Sequence, residues 1–390
     1  KTGSVNTLLL GNNNLVTGDE NNGGPMIVYR SGVATDSLAV ARYVGPEDAS
    51  GDNPSNLGNC GFTTNANPIG NFQCDIIDSI DYTNGGENDF EISEDGHLHV
   101  AYTYKTENGR IGIKYAESED NGESWSREYI ENVSSAPGSV KYRFPVIITK
   151  ENIPHLFYVR SYVQPAETDK LFHSWKDGGI WITEEVASAP LVYDYYPGDI
   201  FRIDANYDSN NNIINVLFRS HDNLDPNTHL LFYTYAQGVG DWTETQIDEI
   251  GSDTHLSRLS LKVSNNKIHI AYPKEEDGIT VLSYGKKDLV NGDWTFESIS
   301  QNNAPYHPQL SLTLEGNPSM VSWSWEGIPN MYYNYYTEDA GWNSINLDSA
   351  PDQYNGKAGS LTFDPLNKPH ATYMYNTLFG IDALRYSFIG

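Results

Sequence analysis

The chain has 390 residues and a formal net charge of −28, from 24 Lys and Arg against 52 Asp and Glu. That balance argues against nucleic acid and anionic membrane surfaces as partners, because both would repel the chain. No apolar run reaches the ~20 residues that a membrane-spanning helix needs, and 27 Tyr and 8 Trp among 34 Gly describe a turn-rich β protein with ample material for a core.

Taken in order, the chain opens on an apolar strand, Val5-Asn6-Thr7-Leu8-Leu9-Leu10, and then settles into a repeat. A short apolar strand ending in an aromatic recurs as Ile27-Val28-Tyr29, His99-Val100-Ala101-Tyr102, His155-Leu156-Phe157-Tyr158, Asn215-Val216-Leu217-Phe218, His269-Ile270-Ala271-Tyr272, Met320-Val321-Ser322-Trp323 and His370-Ala371-Thr372-Tyr373. Most copies follow a Gly, Asn or Asp turn, and before that turn sits another strand, such as Leu259-Ser260-Leu261-Lys262-Val263. A third strand comes after each aromatic, and a fourth follows Trp125, Trp181, Trp242, Trp294 and Trp342. Four strands in a unit of about 50 residues is the pattern of propeller blades, and no segment has helical periodicity.

The sequence therefore predicts one all-β domain over residues 1–390, a seven-bladed β-propeller of four-stranded antiparallel blades. The blades are expected at 15–80, 87–133, 143–188, 201–249, 257–300, 308–347 and 358–390. The last blade has only three strands, so Val5–Leu10 is expected to supply its fourth and close the ring. Cys60 and Cys74 stand close together in a Gly/Asn-rich segment and read as a local disulfide, which implies an extracellular or cell-surface location.

The stretch Ser118-Glu119-Asp120-Asn121-Gly122-Glu123-Ser124-Trp125 fits S-x-D-x-G-x-S/T-W at every fixed position. It resembles the Asp box, or BNR motif, of the sialidase-like β-propellers. The resemblance implies a hairpin turn between the two outer strands of a blade. Asp120 would bond backbone N–H groups, Gly122 would take φ > 0, and Trp125 would be buried between blades. Asp boxes occur on glycosidases, lyases, lectins and receptors, so this one specifies architecture and not chemistry.

Ligands of propellers usually sit at one mouth of the central channel, on loops leading into the innermost strands. Aligning the repeats puts Asn88 and Asp89, Tyr142 and Arg143, Arg202, His255 and Arg258, Tyr306 and His307, and Lys357 near the starts of those strands, with Tyr196 on a loop from the same side. An acidic chain thus gathers its cations around one opening. Guanidinium forks suit carboxylates or sulfates, and aromatic rings suit sugar faces. The bland reading is that these residues form cross-blade ion pairs on the rim.

The preferred function is recognition of a glycan or acidic polysaccharide, with Arg143, Tyr142, Tyr196, His255 and Lys357 as binding residues. An alternative resembles propeller-type polysaccharide lyases, with His307 or His255 as base, Tyr306 or Tyr196 as acid, and Arg202 or Arg258 neutralising a uronate carboxylate. A docking subunit in a surface assembly is a third reading. A sialidase reading fares worse, since Arg143, Arg202 and Arg258 come from consecutive blades and the Arg-Ile-Pro start is missing. No metal site is expected, because His97 and His99 lack a third ligand nearby in sequence. His99, His155, His269 and His370 share one repeat position and read as structural. Loops such as Glu47-Asp48 could hold Ca²⁺, though solvated turns explain them more simply. No other cofactor is implied.

Overall fold

A computed structural model of the chain describes residues 5–10, 25–31, 37–45, 71–79, 83–133, 140–162, 168–188, 200–221, 229–237, 240–251, 258–289, 292–299, 305–324, 330–347, 354–364, 366–376 and 382–388. These residues hold strands and turns only. The first antiparallel meander is β1 (Val5–Leu10), β2 (Pro25–Ser31), β3 (Ser37–Gly45) and β4 (Asn71–Asp78). Next come β5 (Thr83–Ile92), β6 (Leu98–Lys105), β7 (Ile111–Ser118) and β8 (Ser126–Glu131), then β9 (Val140–Lys150), β10 (Ile153–Tyr162), β11 (Lys170–Asp177) and β12 (Ile180–Ser188). A single parallel bridge, Ile111 to Lys141, joins these two meanders into an eight-stranded sheet. Three four-stranded sheets follow: β13 (Ile200–Asp208) to β16 (Thr243–Glu249) through β14 (Ile213–His221) and β15 (His229–Ala236); β17 (Ser260–Ser264) to β20 (Thr295–Ile299) through β18 (Lys267–Glu276) and β19 (Ile279–Asp288); and β21 (Pro305–Leu312) to β24 (Gly341–Asn346) through β22 (Pro318–Ser324) and β23 (Asn330–Thr337). The last sheet has three strands, β25 (Tyr354–Phe363), β26 (Pro369–Asn376) and β27 (Asp382–Phe388).

Burial falls from second strand to fourth, which fixes the direction of each meander. β6 is buried almost throughout, whereas β8 and β16 are largely exposed. The first strands lie side by side in the order β1, β5, β9, β13, β17, β21, β25, and β25 also touches β1. Hence the first strand of every meander faces the centre of the molecule.

One expectation is corrected. β1 does not complete the last sheet; it pairs antiparallel with β2, with Leu8 opposite Ile27, and β25–β27 stays three-stranded. The inner edge of β2 would otherwise be a row of unpaired backbone groups, and the strand next upstream in the chain satisfies it.

Three side-chain devices, repeated at the sequence period, bind neighbouring meanders. The tryptophan that leads into the fourth strand stands edge-on against an aromatic ring of the preceding meander's third strand. Trp181 meets Tyr115 at 5.1 Å, Trp242 meets His173 at 5.6 Å, Trp294 meets Tyr233 at 5.6 Å and Trp342 meets Tyr284 at 5.0 Å between centroids. Such pairs add about 0.5–1.5 kcal/mol each beyond the area they bury. A tyrosine within the second strand donates to an acid of the preceding meander: Tyr102 to Asp78 (2.7 Å), Tyr158 to Glu131 (2.8 Å) and Tyr272 to Asp248 (2.6 Å). Lysines join two of these locks, Lys114 at 2.8 Å from Asp78 and Lys274 at 2.8 Å from Asp248. Finally, side chains of inner strands accept from the backbone of the next inner strand: Asp89 from Ile147, Asp204 from Leu261 and Ser260 from Leu310.

The repeated histidines are structural, as expected. His99 Nδ1 lies 2.6 Å from the Tyr115 hydroxyl and His269 Nδ1 2.6 Å from that of Tyr284, while His155 Nδ1 meets His173 Nε2 at 2.8 Å. All four rings are nearly buried, and burial pushes the imidazoles of His99 and His269 down to about 4 and that of His155 to about 3. The turn between β7 and β8 has the internal bonds that the motif implies. Asp120 accepts from Ser118 Oγ (2.8 Å), Ser124 N (2.8 Å) and Ser124 Oγ (2.5 Å), which pull its carboxyl down to about 2. Gly122 has φ of 88°, and the buried Trp125 ring donates to the Gly122 carbonyl at 3.1 Å.

Candidate functional site

The inner-strand bonds supply a register for the channel mouth. Asp89, Asp204 and Ser260 are equivalent, as are Ile147, Leu261 and Leu310, so Glu87, Phe144, Arg202, Arg258 and His307 occupy one repeated position where the inner strands begin. Phe144, Arg202 and His307 all have positive φ, of 55°, 48° and 52°. The pairing register shifts at each of these points. A bulge with a non-glycine residue in the left-handed region costs on the order of 1 kcal/mol or more, and it turns the side chain out of the regular alternation. Here it happens three times at one level of the fold.

Arg202 lies at the middle of this group. Its guanidinium stacks on the Phe144 ring at 4.7 Å, and Nη1 donates to Glu87 Oε1 over a long 3.5 Å. The other Glu87 oxygen accepts from the Phe144 amide at 2.7 Å. Among the described residues Arg202 has no second polar partner, although a guanidinium carries five N–H donors. Burial, and then the nearby Arg143, lower its pKa, with Glu87 opposing.

Arg143 is more firmly held, by Ser161 Oγ at 2.6 Å and Asp169 at 3.0 Å, and its guanidinium lies 5.2 Å from the same Phe144 ring. Arg258 is pushed down to about 10 by burial and by Arg202, with Asp89, Glu87 and Asp204 opposing. Arg219, a fully buried arginine on β14, is pushed down to about 9 by burial and again by Arg202. Four arginines therefore crowd one region. Further along the inner strands the side chains turn acidic. Glu91 is raised to about 7 and Asp204 to about 6, chiefly by burial, with Lys262 as the opposing cation and other channel carboxylates adding to the rise.

Arg202 thus lies near both Arg143 and Arg258. Tyr142 does not join them. It is a core residue, buried and edge-on to Tyr158 at 5.9 Å, because the bulge hands the mouth position to Phe144. His307 stacks on Trp323 with ring centroids 6.1 Å apart. Tyr306 and Lys357 lie in β21 and β25, but their side chains, together with Tyr196, His255 and Cys60, lie outside the described residues. No free cysteine is found among those described. Glu87, Phe144 and Arg219 were missed. Arg219 left one signal, a lone charge directly after the apolar run Val216-Leu217-Phe218.

Away from the mouth, the expectation that His97 lacks further ligands is corrected. His97, Glu117 and Glu119 bring ligand atoms within 4.8 Å of one another, because cross-strand pairing sets Glu117 opposite His99 and so brings both glutamates beside His97.

No family model matches the sequence, and no curated protein matches it either. Solved structures do resemble the fold. A Hadza microbial sialidase, Hz136, superposes with a TM-score of 0.53 at 11% identity, over 79% of this chain and 66% of that one. The K499G mutant of NanB sialidase from Streptococcus pneumoniae gives 0.51 at 10% identity, over 77% and 66%. The α-L-arabinanase of Penicillium chrysogenum, complexed with arabinobiose, gives 0.52 at 12% identity, over 77% and 92%. The present chain spans just under two thirds of each of these two sialidase structures. The all-β meanders of this chain have the fold of the sialidase-like β-propellers.

Proposed function

We propose that the protein recognises a glycan bearing an acidic group, held at the channel mouth by Arg202 with Arg258 and Arg143 beside it. The observation that carries this reading is Arg202: a partly buried guanidinium, set by a bulge, whose single described polar partner is the long contact to Glu87. A carboxylate or sulfate would engage the remaining donors of the fork and relieve the crowding of like charges around it. Phe144 is already covered by Arg202, so the guanidinium itself offers a flat surface beside a sugar ring. The neighbours of similar fold whose names denote sialidases and an arabinanase support a carbohydrate as the ligand class. The cyclic order of inner strands supports a count of seven blades, with β25 closing against β1. The Cys60–Cys74 pairing and an extracellular or surface location belong to the same reading.

Binding is favoured over turnover because no described contact brings an acid–base pair to Arg202; His307 is stacked on Trp323. Glycan-array screening followed by calorimetry tests the proposal. Wild type is expected to bind acidic glycans, and Arg202→Ala to weaken binding ~10–100-fold, the worth of one or two charge-assisted hydrogen bonds. Unchanged binding by Arg202→Ala refutes the site. No binding across the array refutes glycan recognition and favours a docking platform. A rise in ultraviolet absorbance with uronate polysaccharides, as an unsaturated uronate forms, would replace binding by a lyase reaction.

A further inference from the structure

We infer that His97, Glu117 and Glu119 form a binding site for a divalent transition ion of the zinc class, at the end of the strands opposite the mouth. His97 immediately precedes β6, Glu117 is the penultimate residue of β7, and Glu119 opens the turn that follows. His97 Nδ1 and Glu117 Oε1 are 3.5 Å apart, and the Glu119 carboxylate lies within 4.8 Å of both. Two ligands at 2.0–2.1 Å from a tetrahedral ion stand about 3.4 Å apart, so the first pair is already spaced as one edge of such a site. Glu119 is exposed and needs only side-chain rotation to reach the same ion. An imidazole with two carboxylates, completed by water, suits zinc or cobalt; calcium would require six or more oxygens.

Buried groups lie behind the site. The Tyr115 hydroxyl, beside the Glu117 carboxylate, meets His99 Nδ1 at 2.6 Å, and His99 Nε2 meets Ser93 Oγ at 3.0 Å. Polar groups behind a ligand help to fix its orientation. The repeat supplies an internal control. The meander β17–β20 keeps the buried pair as His269 and Tyr284, but puts Lys267, Lys286 and Asp288 where His97, Glu117 and Glu119 stand. The fold therefore does not need this trio, and a set of two lysines there cannot ligate a metal at neutral pH. Only this meander among those described carries the complete set.

Zn²⁺ titrated into the metal-stripped full chain by calorimetry, with Co²⁺ absorption as a second readout, tests the assignment. Wild type is expected to bind one equivalent of Zn²⁺ saturably, with visible Co²⁺ bands of a tetrahedral or five-coordinate ion and an upward shift of the thermal midpoint. His97→Ala and Glu117→Gln should each weaken this at least tenfold while leaving the far-ultraviolet spectrum unchanged. Glu119→Gln, exposed and harmless to folding, should weaken it as well. No saturable binding at millimolar Zn²⁺, binding that survives His97→Ala, or a response to Ca²⁺ but not Zn²⁺ overturns the inference.

Discussion

Lys114 on β7 and Lys274 on β18 each pair with an acid of the preceding meander that a tyrosine also bonds, and the two pairs differ in burial. Lys114 Nζ lies 2.8 Å from Asp78, with side chains 3% and 0% exposed; Lys274 lies 2.8 Å from Asp248, with side chains 25% and 15% exposed. A tyrosine hydroxyl bonds the acid in both. Lys114 also lies over the Tyr129 ring at 4.5 Å. Lys114→Met keeps the length of the side chain but leaves the Asp78 carboxylate buried without its cation, which costs about 3–5 kcal/mol. Lys274→Met leaves Asp248 in reach of water and should cost only about 1 kcal/mol. Adding Asp78→Asn to Lys114→Met removes the stranded charge and should recover most of the loss. Urea unfolding of the four variants measures this, with a second series in high salt that should shrink only the Lys274 effect. Equal losses at the two junctions, or a double variant no better than Lys114→Met, would show that burial does not set the strength of these locks.

Further outcomes follow from the same contacts. Trp342→Ala removes the ring set edge-on against Tyr284 and should lower stability by about 3 kcal/mol in the same unfolding assay. Gly112→Ala should be worse than a usual surface change, because its Cβ would meet the Tyr104 ring and come within 2.5 Å of the Glu131 carbonyl oxygen; thermal melting checks it. Glu91, raised to about 7 in the fold, holds a proton that the unfolded chain releases at lower pH. Its contribution therefore falls as pH rises from the ordinary Glu range to about 7, and Glu91→Gln should flatten that limb and stabilise the protein at pH 8 by about 1–3 kcal/mol. His155 runs oppositely: lowered to about 3, it is neutral in the fold where the unfolded chain binds a proton, so stability falls as pH drops below about 6.5. His155→Gln should reduce that acid loss in pH-dependent unfolding.

The repeating aromatics were legible because several do the same job at successive junctions; Tyr102, Tyr158 and Tyr272 each reach an acid on the preceding meander. Trp181, Trp242, Trp294 and Trp342 were legible for the same reason. Individual mouth positions were less so. The alignment found Arg202, Arg258 and His307, but took Tyr142 where a bulge substitutes Phe144, and a one-residue shift moves a strand side chain to the opposite face. Arg219 escaped because it sits on a second strand, where the pattern anticipates core.

By itself the sequence determined that this is a β protein of repeated four-strand units, since alternation, turn residues and spacing are local properties of the chain. Tertiary structure alone decided that Val5–Leu10 is the inner partner of β2, and that Glu87 reaches Arg202 across the strand of Phe144. It alone set His97 beside Glu117 and Glu119. Hydrophobic pattern fixes which residues form a strand, but an edge is satisfied by whichever strand packing brings to it, and contacts between meanders depend on that choice.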